Sequence, residues 1–489
     1  MQRLRQSSNG PWLAIAAGLG LLAMILILCR GQFGAERELI EYPARWLAFG
    51  MCLSGLLYLC LIPLIRGDEG LTGRSLRRRL ALIVMVGLGL RLMLLWSTPA
   101  LEDDFYRYLW DGGVTFHGHN PYRFAPGEAV ETGMAPDTLK TLATNADVVH
   151  ARINHADLRT IYPPLTQAFF ALAYAAEPWS LLAWRLVCLG GELATLGLLL
   201  ALLRDLKRSP LWVAVYWWNP VVIKELINSA HMEAILMPMV LAALLFSIRQ
   251  RPLAATSALA LAVGTKLWPV ILAPLLWRSL IGAPKLLAAV VALLGGACIV
   301  WAVPPLIAGL GDDSGFVAYA THWKTASAIM PNLERLVGLL SHPFAMAPET
   351  VSRLARVIVG LILVAAIAWL AWQPVTGPQD LVERAMLTMA ALVLLSPSQF
   401  PWYLIWLQPL LCVRPERGWL LATALMPLYY VSFHFYATDR AWVFREVIVW
   451  AIWLPIWSVL IHDAFRRRGI TTAADLRTLY SDVSARRRR

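Results

Sequence analysis

Long apolar runs alternate with short polar connectors along nearly the whole chain. Many of these runs reach about 18 residues or more, which is enough for a helix to cross a hydrocarbon core of roughly 30 Å. Shorter runs fit half-helices or re-entrant segments, which a membrane tolerates where protein surrounds them. The pattern predicts an all-α polytopic membrane protein with about 12–14 transmembrane segments. The predicted segments are 11–30, 45–65, 80–98, 181–203, 211–228, 231–248, 253–264, 267–278, 286–308, 353–373, 383–398, 402–413, 418–436 and 444–462.

The composition also indicates a membrane protein. Of the 489 residues, 58% are hydrophobic and 15% are charged, whereas soluble domains contain about 45–50% apolar and about 25% charged residues. The mean hydropathy is +0.58. We therefore treat residues 1–489 as a single membrane domain, with two additional spans in 1–78, a core in 79–463 and a basic tail in 464–489.

Basic residues lie mostly beside the predicted spans and in the tail, and they account for the net charge of +12. Such residues mark the cytoplasmic side and attract anionic lipids, so this charge does not indicate a nucleic-acid partner. This preference of basic residues for the cytoplasmic side places both termini in the cytoplasm and the segments 99–180 and 309–350 outside. Segment 99–180 contains ten acidic and five basic residues, the opposite bias to the inner loops. Within it, the apolar stretch 162–175 predicts a helix along the outer interface.

The segment 101–126, LEDDFYRYLWDGGVTFHGHNPYRFAP, concentrates charged and aromatic residues directly after a span. Asp103 or Asp104 can cap a helix here, and Gly112-Gly113 is predicted to end it. Two interpretations are open: a solvated face with an internal Asp–Arg pair, or the wall of an active site whose carboxylate acts as a general base. At helical spacing, one face of this helix carries Asp104, Arg107, Tyr108 and Asp111.

Further polar residues are predicted on the outer side of the membrane. Arg91 lies inside the segment 80–98, where it either snorkels outward or binds an anion such as phosphate. Lys224 and Glu225 form either a mutual ion pair or part of a site. A transport path would spread polar groups through the whole membrane, so the one-sided distribution favours an enzyme over a transporter or lipid flippase, which is the alternative. Other polar and aromatic residues predicted on this side include Asn228, His231, Glu233, Lys266, Gln399, Trp402 and Tyr403.

No cofactor is predicted. The sequence contains no Walker A motif and no dinucleotide-binding glycine pattern. The six cysteines are scattered through apolar segments without paired spacing, so neither a disulfide framework nor a metal cluster follows. His117 and His119 stand near several aspartates, but a second ligand pair at a diagnostic spacing is missing. A divalent metal is therefore an alternative without support from the sequence.

The pairing of EDDFYRYLWDG with NPYRFAP is the most specific string in the chain. Weaker strings are INHADLRTIYPPLTQ, NPVVIKELINSAHMEA, TKLWPVILAPLLWR and SPSQFPWYLIWLQPLL. Together, from about Arg91 to about Leu411, they resemble the membrane-embedded glycosyltransferases of the GT-C fold, in particular bacterial members related to glycosyltransferase family 87 and the GPI mannosyltransferases. The second outer loop, THWKTASAIMPN, lacks the aromatic–asparagine string that the family leads us to expect on the acceptor side.

The resemblance implies a GT-C-like bundle that transfers a hexose such as mannose, with inversion, from a polyprenyl-phosphate donor to a hydroxyl of a lipid or glycan acceptor. It places the enzyme in the bacterial inner membrane, with the site facing the periplasm or exterior. The general base would be Asp103, the first member of the acidic pair, or Asp104, which the helical face favours. Cations for the departing phosphate would be Arg91, Arg107, Arg123 and Lys266. The other predicted substrate-binding residues are Tyr108, Asp111, His231 and Tyr403.

Overall fold

The structure, a computed structural model, describes residues 8–33, 38–131, 133–308 and 314–467. Within these ranges the chain forms no β-strand, and one isolated parallel bridge pairs Thr325 with Ser398. The all-α prediction is therefore confirmed. Most of the predicted basic tail, residues 468–489, lies outside the described residues.

The first half of the chain begins with four helices that cover three predicted spans. It continues with four shorter helices in the predicted outer segment and ends with a long helix. In order, these helices are α1 (Asn9–Leu28), α2 (Ala44–Leu59), α3 (Leu61–Asp68), α4 (Gly73–Leu94), α5 (Asp104–Phe116), α6 (Asp137–Ala146), α7 (Val148–Ala151), α8 (Pro164–Ala176) and α9 (Leu181–Asp205).

The second half of the chain alternates long helices with short or broken ones, many of which begin at a proline. Proline fits the first turn of a helix because the N–H group it lacks would have no partner there. The helices are α10 (Ala214–Trp217), α11 (Pro220–Ile223), α12 (Glu233–Ile248), α13 (Pro252–Thr265), α14 (Ala273–Leu276), α15 (Pro284–Ala308), α16 (Gly315–His322), α17 (Ile329–Ser341), α18 (Pro348–Trp372), α19 (Pro378–Leu395), α20 (Gln408–Leu411), α21 (Arg417–Leu425), α22 (Val431–Ala437), α23 (Ala441–Val443) and α24 (Val449–Arg467).

Among the described residues, seven helical stretches are long and apolar enough to cross a membrane. Two more helices, α12 and α13, are apolar but shorter. The polytopic membrane prediction is thus confirmed, while several of the shorter predicted crossings are broken or brief helices. The seven stretches are Asn9–Leu28, Ala44–Asp68, Leu181–Asp205, Pro284–Trp301, Pro348–Trp372, Arg417–Ala437 and Ala441–Arg467.

The predicted span 211–228 is interrupted rather than continuous. Asn219 caps α11, because its side chain accepts hydrogen bonds from the amides two and three residues ahead, at 2.9 and 3.2 Å. Pro220 then starts the new helix and cannot donate to the preceding one. After α11 the backbone widens into a π-helix at Lys224–Asn228, a rare form that often occurs at functional sites.

Helix α5 runs through the glycine pair at which it was predicted to end. Gly112 and Gly113 lie inside the helix, which continues to Phe116. A Cβ atom at Gly112 would lie 2.5 Å from the carbonyl oxygen of Phe170 on α8. The glycine therefore allows the two helices to pack closely instead of terminating one of them.

Candidate active site

A cavity of about 800 Å³ opens where the start of α5 meets the N-terminal end of α12 and the C-terminal end of α13. Its walls also include the segments 152–163 and 396–406 and residues of α16. These elements are distant in sequence, and most come from regions that the charge pattern placed on the outer side. Six of the predicted site residues line the cavity, namely Asp103, Asp104, Arg107, Tyr108, Lys266 and Tyr403.

One amide group holds Asp103 and Asp104 side by side. Asn154 Nδ2 donates to Oδ1 of Asp103 at 2.7 Å and to Oδ1 of Asp104 at 3.1 Å. The carboxylate of Asp103, just before the first turn of α5, is exposed to the cavity. The side chain of Asp104 is 30% exposed and also accepts a hydrogen bond from the Tyr108 hydroxyl at 3.5 Å. Asp103 is thus the more open member of the pair, and Asp104 has more partners.

The cavity makes Asp103 more basic than an ordinary aspartate. Although its carboxylate is open to the cavity, protein surrounds it on most sides, and this burial raises its pKa. The negative charge of Asp104 raises the pKa of Asp103 further, to about 6, against the opposite effect of the Asn154 hydrogen bond. A carboxylate with a pKa near the working pH is well suited to accept a proton.

His231 lies in the turn before α12, behind the cavity wall, and faces three carboxylates. Its side chain is 0% exposed, and its ring stacks on Trp402 with the ring centroids 4.1 Å apart. Nδ1 lies 3.9 Å from Asp104 Oδ2, whereas Nε2 lies 3.4 Å from Glu225 Oε2 and 3.6 Å from Glu102 Oε2. Negative charge thus lies close to both ring nitrogens, an arrangement that favours the protonated imidazole.

Lys266 presents a fixed positive charge to the cavity. It follows α13 directly, and its Nζ lies 2.5 Å from Oε1 of Glu233, the first residue of α12. The lysine side chain is 27% exposed and that of the glutamate is 1% exposed. Nζ also lies 5.1 Å from the ring centroid of Tyr403 and 5.3 Å from that of Trp406, a distance at which the ring faces attract a cation.

Arg107 and Asp111 form the internal ion pair that was one of the two interpretations of this helix face. Arg107 Nε lies 2.9 Å from Asp111 Oδ1, and Arg107 Nη1 donates to the carbonyl oxygen of Leu158 at 2.8 Å. Asp111 also accepts hydrogen bonds from Thr160 and Gln167, at 2.5 and 3.1 Å. Asp111 is buried and does not line the cavity. The pair therefore braces the wall, and only Arg107 reaches the cavity surface.

Two of the predicted substrate-binding cations lie outside the cavity lining. Arg91 is fully buried and pairs with Glu192, at 3.0 Å from Nε and 2.6 Å from Nη2. Its Nη1 donates to carbonyl oxygens of Gly87 and Trp217, at 3.0 and 2.8 Å. It neither snorkels nor reaches the cavity, so in this structure it stabilises the bundle. Arg123 is exposed, with its guanidinium 5.2 Å from the ring centroid of the adjacent phenylalanine.

Two residues that shape the site were not singled out from the sequence. Asn154 bridges the aspartates, and Glu102 belongs to the charged group around His231. Both stand inside strings that carry the family resemblance, EDDFYRYLWDG and INHADLRTIYPPLTQ. Their positions in those strings could have marked them as candidates. The sequence does not show, however, that these two distant segments meet in the folded protein.

The spacing of Glu102, Glu225 and His231 also resembles a metal site, since their ligand atoms lie within 4.8 Å of one another. However, the ammonium group of Lys224 lies 3.4 Å from Glu225 Oε1 and 3.7 Å from Glu102 Oε1. A divalent ion would have to share these oxygens with that positive charge. The residues present therefore fit a buried ion network better than a metal centre.

Sequence models of two domains match the chain. The model of the alpha-(1→6)-mannopyranosyltransferase N-terminal domain matches residues 31–282, just over half of the chain, and that of the MptB C-terminal domain matches residues 329–462. The chain belongs to this mannosyltransferase family. The predicted membership among bacterial GT-C-type mannosyltransferases is thereby confirmed, while the closer relation to glycosyltransferase family 87 stays a prediction.

A relative with a similar length is alpha-(1→6)-mannopyranosyltransferase A of Mycobacterium tuberculosis (strain ATCC 25618 / H37Rv). It is 25% identical to the chain over 449 residues, which cover 85% of this chain and 82% of the relative. No solved structure matches the chain. The chain is therefore a multi-pass membrane mannosyltransferase, and both matched regions contribute to the cavity, the first with Asp103 and Lys266 and the second with Tyr403.

Proposed function

We propose that the protein transfers a mannosyl residue from a polyprenyl-phosphate donor to an acceptor hydroxyl, forming an α-(1→6) linkage with inversion at the anomeric carbon. The observation that carries this proposal is the Asp103–Asp104 pair, bridged by Asn154, in the same cavity as Lys266. The family supports the sugar and the linkage. The cavity supplies the two groups that the reaction needs, a proton acceptor and a cation.

The reaction forms one bond and breaks another at the anomeric carbon of mannose. The acceptor oxygen attacks this carbon while its proton moves to the carboxylate of Asp103. The bond between the anomeric carbon and the phosphate oxygen breaks, and the negative charge grows on the departing polyprenyl phosphate. Lys266, fixed by Glu233, stabilises that charge in the transition state. Inversion to an α product requires a β-linked donor.

Asp103 is the proton acceptor, and Asp104 supports it. The carboxylate of Asp103 is exposed to the cavity and has a raised pKa, whereas that of Asp104 is engaged by Asn154 and Tyr108. The charge of Asp104 contributes to the basicity of Asp103. These differences support Asp103 over Asp104 as the base, a choice that the sequence left open.

A lipid-linked donor fits both the membrane setting and the chemistry of the chain. The sequence contains no recognisable nucleotide-binding motif, so a donor dissolved in the bilayer is the simpler source of activated sugar. The cavity wall includes stacked aromatic rings, with centroids 4.4 Å apart for Tyr403 and Trp406 and 4.9 Å apart for Trp268 and Trp406. Such faces suit the apolar surface of a sugar or an isoprenoid unit.

The charge pattern supports a site on the outer side of the bacterial inner membrane, with both termini in the cytoplasm. A lipid or a glycan at that surface would supply the acceptor hydroxyl. In this arrangement the polyprenyl phosphate remains in the outer leaflet after transfer. A site on the cytoplasmic side would instead require the acidic segment 99–180 to lie among the basic connectors.

The proposal is tested with the full-length protein in detergent, a polyprenyl-phosphate mannose donor and a short mannoside acceptor. We expect Asp103→Asn to lower kcat by about 10²–10⁴-fold, because an amide cannot accept the proton. Asp104→Asn should lower it less, by about tenfold, since the base remains but loses a supporting charge. Product analysis by nuclear magnetic resonance gives the configuration of the new linkage.

Asp137→Asn is the matched control, because Asp137 is an exposed aspartate in the same predicted outer segment and lies outside the cavity. It should retain full activity. Wild-type activity in a folded Asp103→Asn protein would exclude Asp103 as the base. Activity with a nucleotide-linked mannose but not with the lipid-linked one would exclude the proposed donor.

A further inference from the structure

A compact charged cluster lies directly behind the aspartate pair. It consists of side chains that are buried or nearly so and come from three separate parts of the chain, namely Glu102, Lys224, Glu225, His231 and Tyr430. Buried charges in a membrane protein are costly and usually mark functional positions. The reaction proposed above uses none of these five side chains directly.

The members of the cluster face one another closely. Lys224 donates to the hydroxyl of Tyr430, and that hydroxyl donates to Glu225. The Lys224 ammonium lies 3.4 Å from Glu225 Oε1 and 3.7 Å from Glu102 Oε1. Glu102 lines the cavity, and His231 approaches the aspartate pair from behind the cavity wall, since its Nδ1 lies 3.9 Å from Asp104 Oδ2. His231 therefore connects the buried cluster to the aspartate pair.

The backbone around His231 is unusual in two respects. Lys224 and Glu225 begin the π-helix, and Ala230 has a positive φ of 59°, a conformation that costs energy for a residue with a Cβ atom. The carbonyl of Ala230 accepts a hydrogen bond from Trp184 Nε1 at 2.7 Å, which holds this turn in place. The fold thus maintains a strained turn that presents His231 to Asp104.

Both nitrogens of His231 face carboxylates. Nε2 lies 3.4 Å from Glu225 Oε2 and 3.6 Å from Glu102 Oε2, and Nδ1 lies 3.9 Å from Asp104 Oδ2. Trp402 covers one ring face, and neither nitrogen has a hydrogen-bond partner among the described residues, so these contacts are interactions between charges. Neutral imidazole carries a proton on only one nitrogen, so one of its nitrogens would present a lone pair to a carboxylate. The protonated form presents N–H groups in both directions. It also balances the cluster, because Lys224 and His231 then offset Glu102 and Glu225.

We propose that His231 is a permanently protonated positioning residue, which the buried glutamates hold in place and which keeps the Asp103–Asp104 pair ionised and oriented for proton transfer. This inference rests on the proposed function. An opposite charge within about 4–6 Å of a carboxylate favours its ionised form. Without His231, the repulsion between two adjacent carboxylates would favour retention of a proton on the pair, and that proton would block the base.

The inference is tested by the pH dependence of kcat in His231→Gln, since glutamine keeps polar character but cannot carry a charge. We expect the acidic limb of the profile to move to higher pH by about one unit, and kcat below that limb to fall about tenfold at unchanged donor KM. A residue with only a structural role would lower the amount of folded protein without moving the limb.

The double variant Glu102→Gln/His231→Gln addresses the stability problem that the single variant creates. Loss of His231 leaves an excess buried negative charge, and the second change removes it. We expect the double variant to be more stable than His231→Gln while its acidic limb stays displaced. It therefore serves as the test if the single variant does not fold. His342→Gln, at an exposed histidine outside the cavity, should leave the profile unchanged.

Two results would overturn the inference. One is a folded single or double variant with the wild-type acidic limb. The other is wild-type activity that is lost in EDTA and restored by Mn²⁺, together with loss of this response in His231→Gln, since the cluster would then bind a metal. The Asp103→Asn variant separates the two proposals: if it is inactive and the limb of His231→Gln is unmoved, only the role of His231 is wrong.

Discussion

Two ion pairs in this protein differ in whether the cation can still contact a ligand. Arg91 and Glu192 lie inside the bundle, and all three guanidinium nitrogens of Arg91 have partners. Lys266 and Glu233 lie at the cavity, where the lysine is 27% exposed and reaches two ring faces. The first pair is closed to ligands and the second is open to them. Both cations had been predicted to bind substrate.

The comparison shows that burial of a charge does not by itself identify a site. In a closed pair, protein groups replace all the hydrogen bonds that water would make. Such a pair stabilises the folded state only while both members are present. An open pair keeps one member accessible to a ligand that changes its charge during the reaction. Variants of the two pairs should therefore affect different measurements.

The largest effect on stability is expected from Arg91→Met. Removal of the arginine leaves Glu192 as an unpaired buried carboxylate, which should cost about 3–5 kcal/mol. Thermal unfolding in detergent, followed by tryptophan fluorescence, measures this loss. The double variant Arg91→Met/Glu192→Met should recover most of the stability and normal kcat, because neither side chain touches the cavity.

Arg78→Met is the matched control for Arg91, since Arg78 is exposed on the same helix. It should leave the unfolding temperature unchanged. An Arg91→Met protein with normal stability and a much higher donor KM would contradict the structural role of Arg91. Arg91 would then bind the donor, as the sequence had suggested.

The next largest effect is expected from Lys266→Gln, in catalysis rather than in folding. The departing phosphate would lose its positioned cation, and kcat should fall about 10²–10³-fold, the usual cost of removing one charge-stabilising donor. The variant also leaves Glu233 without its cation. For that reason Lys266→Gln/Glu233→Gln should regain stability but not activity, in contrast to the double variant of the closed pair.

Steady-state kinetics and unfolding curves on the same preparations separate these outcomes. Recovery of kcat in Lys266→Gln/Glu233→Gln would show that Lys266 only neutralises its buried partner, and the distinction between the two pairs would disappear. If only the KM for the acceptor changed, Lys266 would be assigned to binding the acceptor and not to the donor phosphate.

Much of the fold could be predicted from the sequence because membrane helices follow from apolar length. The long spans α1, α9, α15, α18 and α24 correspond closely to apolar runs. The broken stretch 211–228 could not be predicted in this way, because its break depends on Asn219, Pro220 and tertiary packing rather than on hydropathy. The prediction that α5 ends at its glycine pair is wrong for a similar reason, because the role of these glycines depends on the packing of α8 against them.

The candidate site shows the same limit. Local spacing placed Asp104 and Arg107 on one helix face, and the one-sided charge pattern grouped His231 and Lys266 with them. The sequence could not show that Arg91 has all its partners inside the bundle, because Glu192 and Trp217 are about 100 residues or more away along the chain. Nor could it rank Asp103 against Asp104, since Asn154 and the cavity wall make the difference.

The smallest expected effect is the pH dependence of activity and stability that Asp103 causes. The closed pair Arg91–Glu192 should have no part in it. The pKa of Asp103 is raised to about 6 in the folded protein, against about 3.9 in an unfolded chain. Activity should therefore rise as the pH increases through about 6, when the base loses its proton. Stability should change in the opposite direction, because between about pH 4 and pH 6 the folded state holds a proton that the unfolded state has released.

Unfolding temperatures of the wild type and Asp103→Asn from pH 4 to pH 7 measure the small pH-dependent contribution of Asp103 to stability. Relative to the variant, the wild type should lose stability as the pH rises from about 4 to about 6 and remain level above that. The Arg91→Met/Glu192→Met protein should follow the wild-type trend, because the closed pair does not contact Asp103. If the wild type instead gains stability over the variant in this window, then the folded protein stabilises the ionised form of Asp103. An aspartate stabilised in that way would be a poorer base than the cavity geometry indicates, and Asp104 would become the better choice.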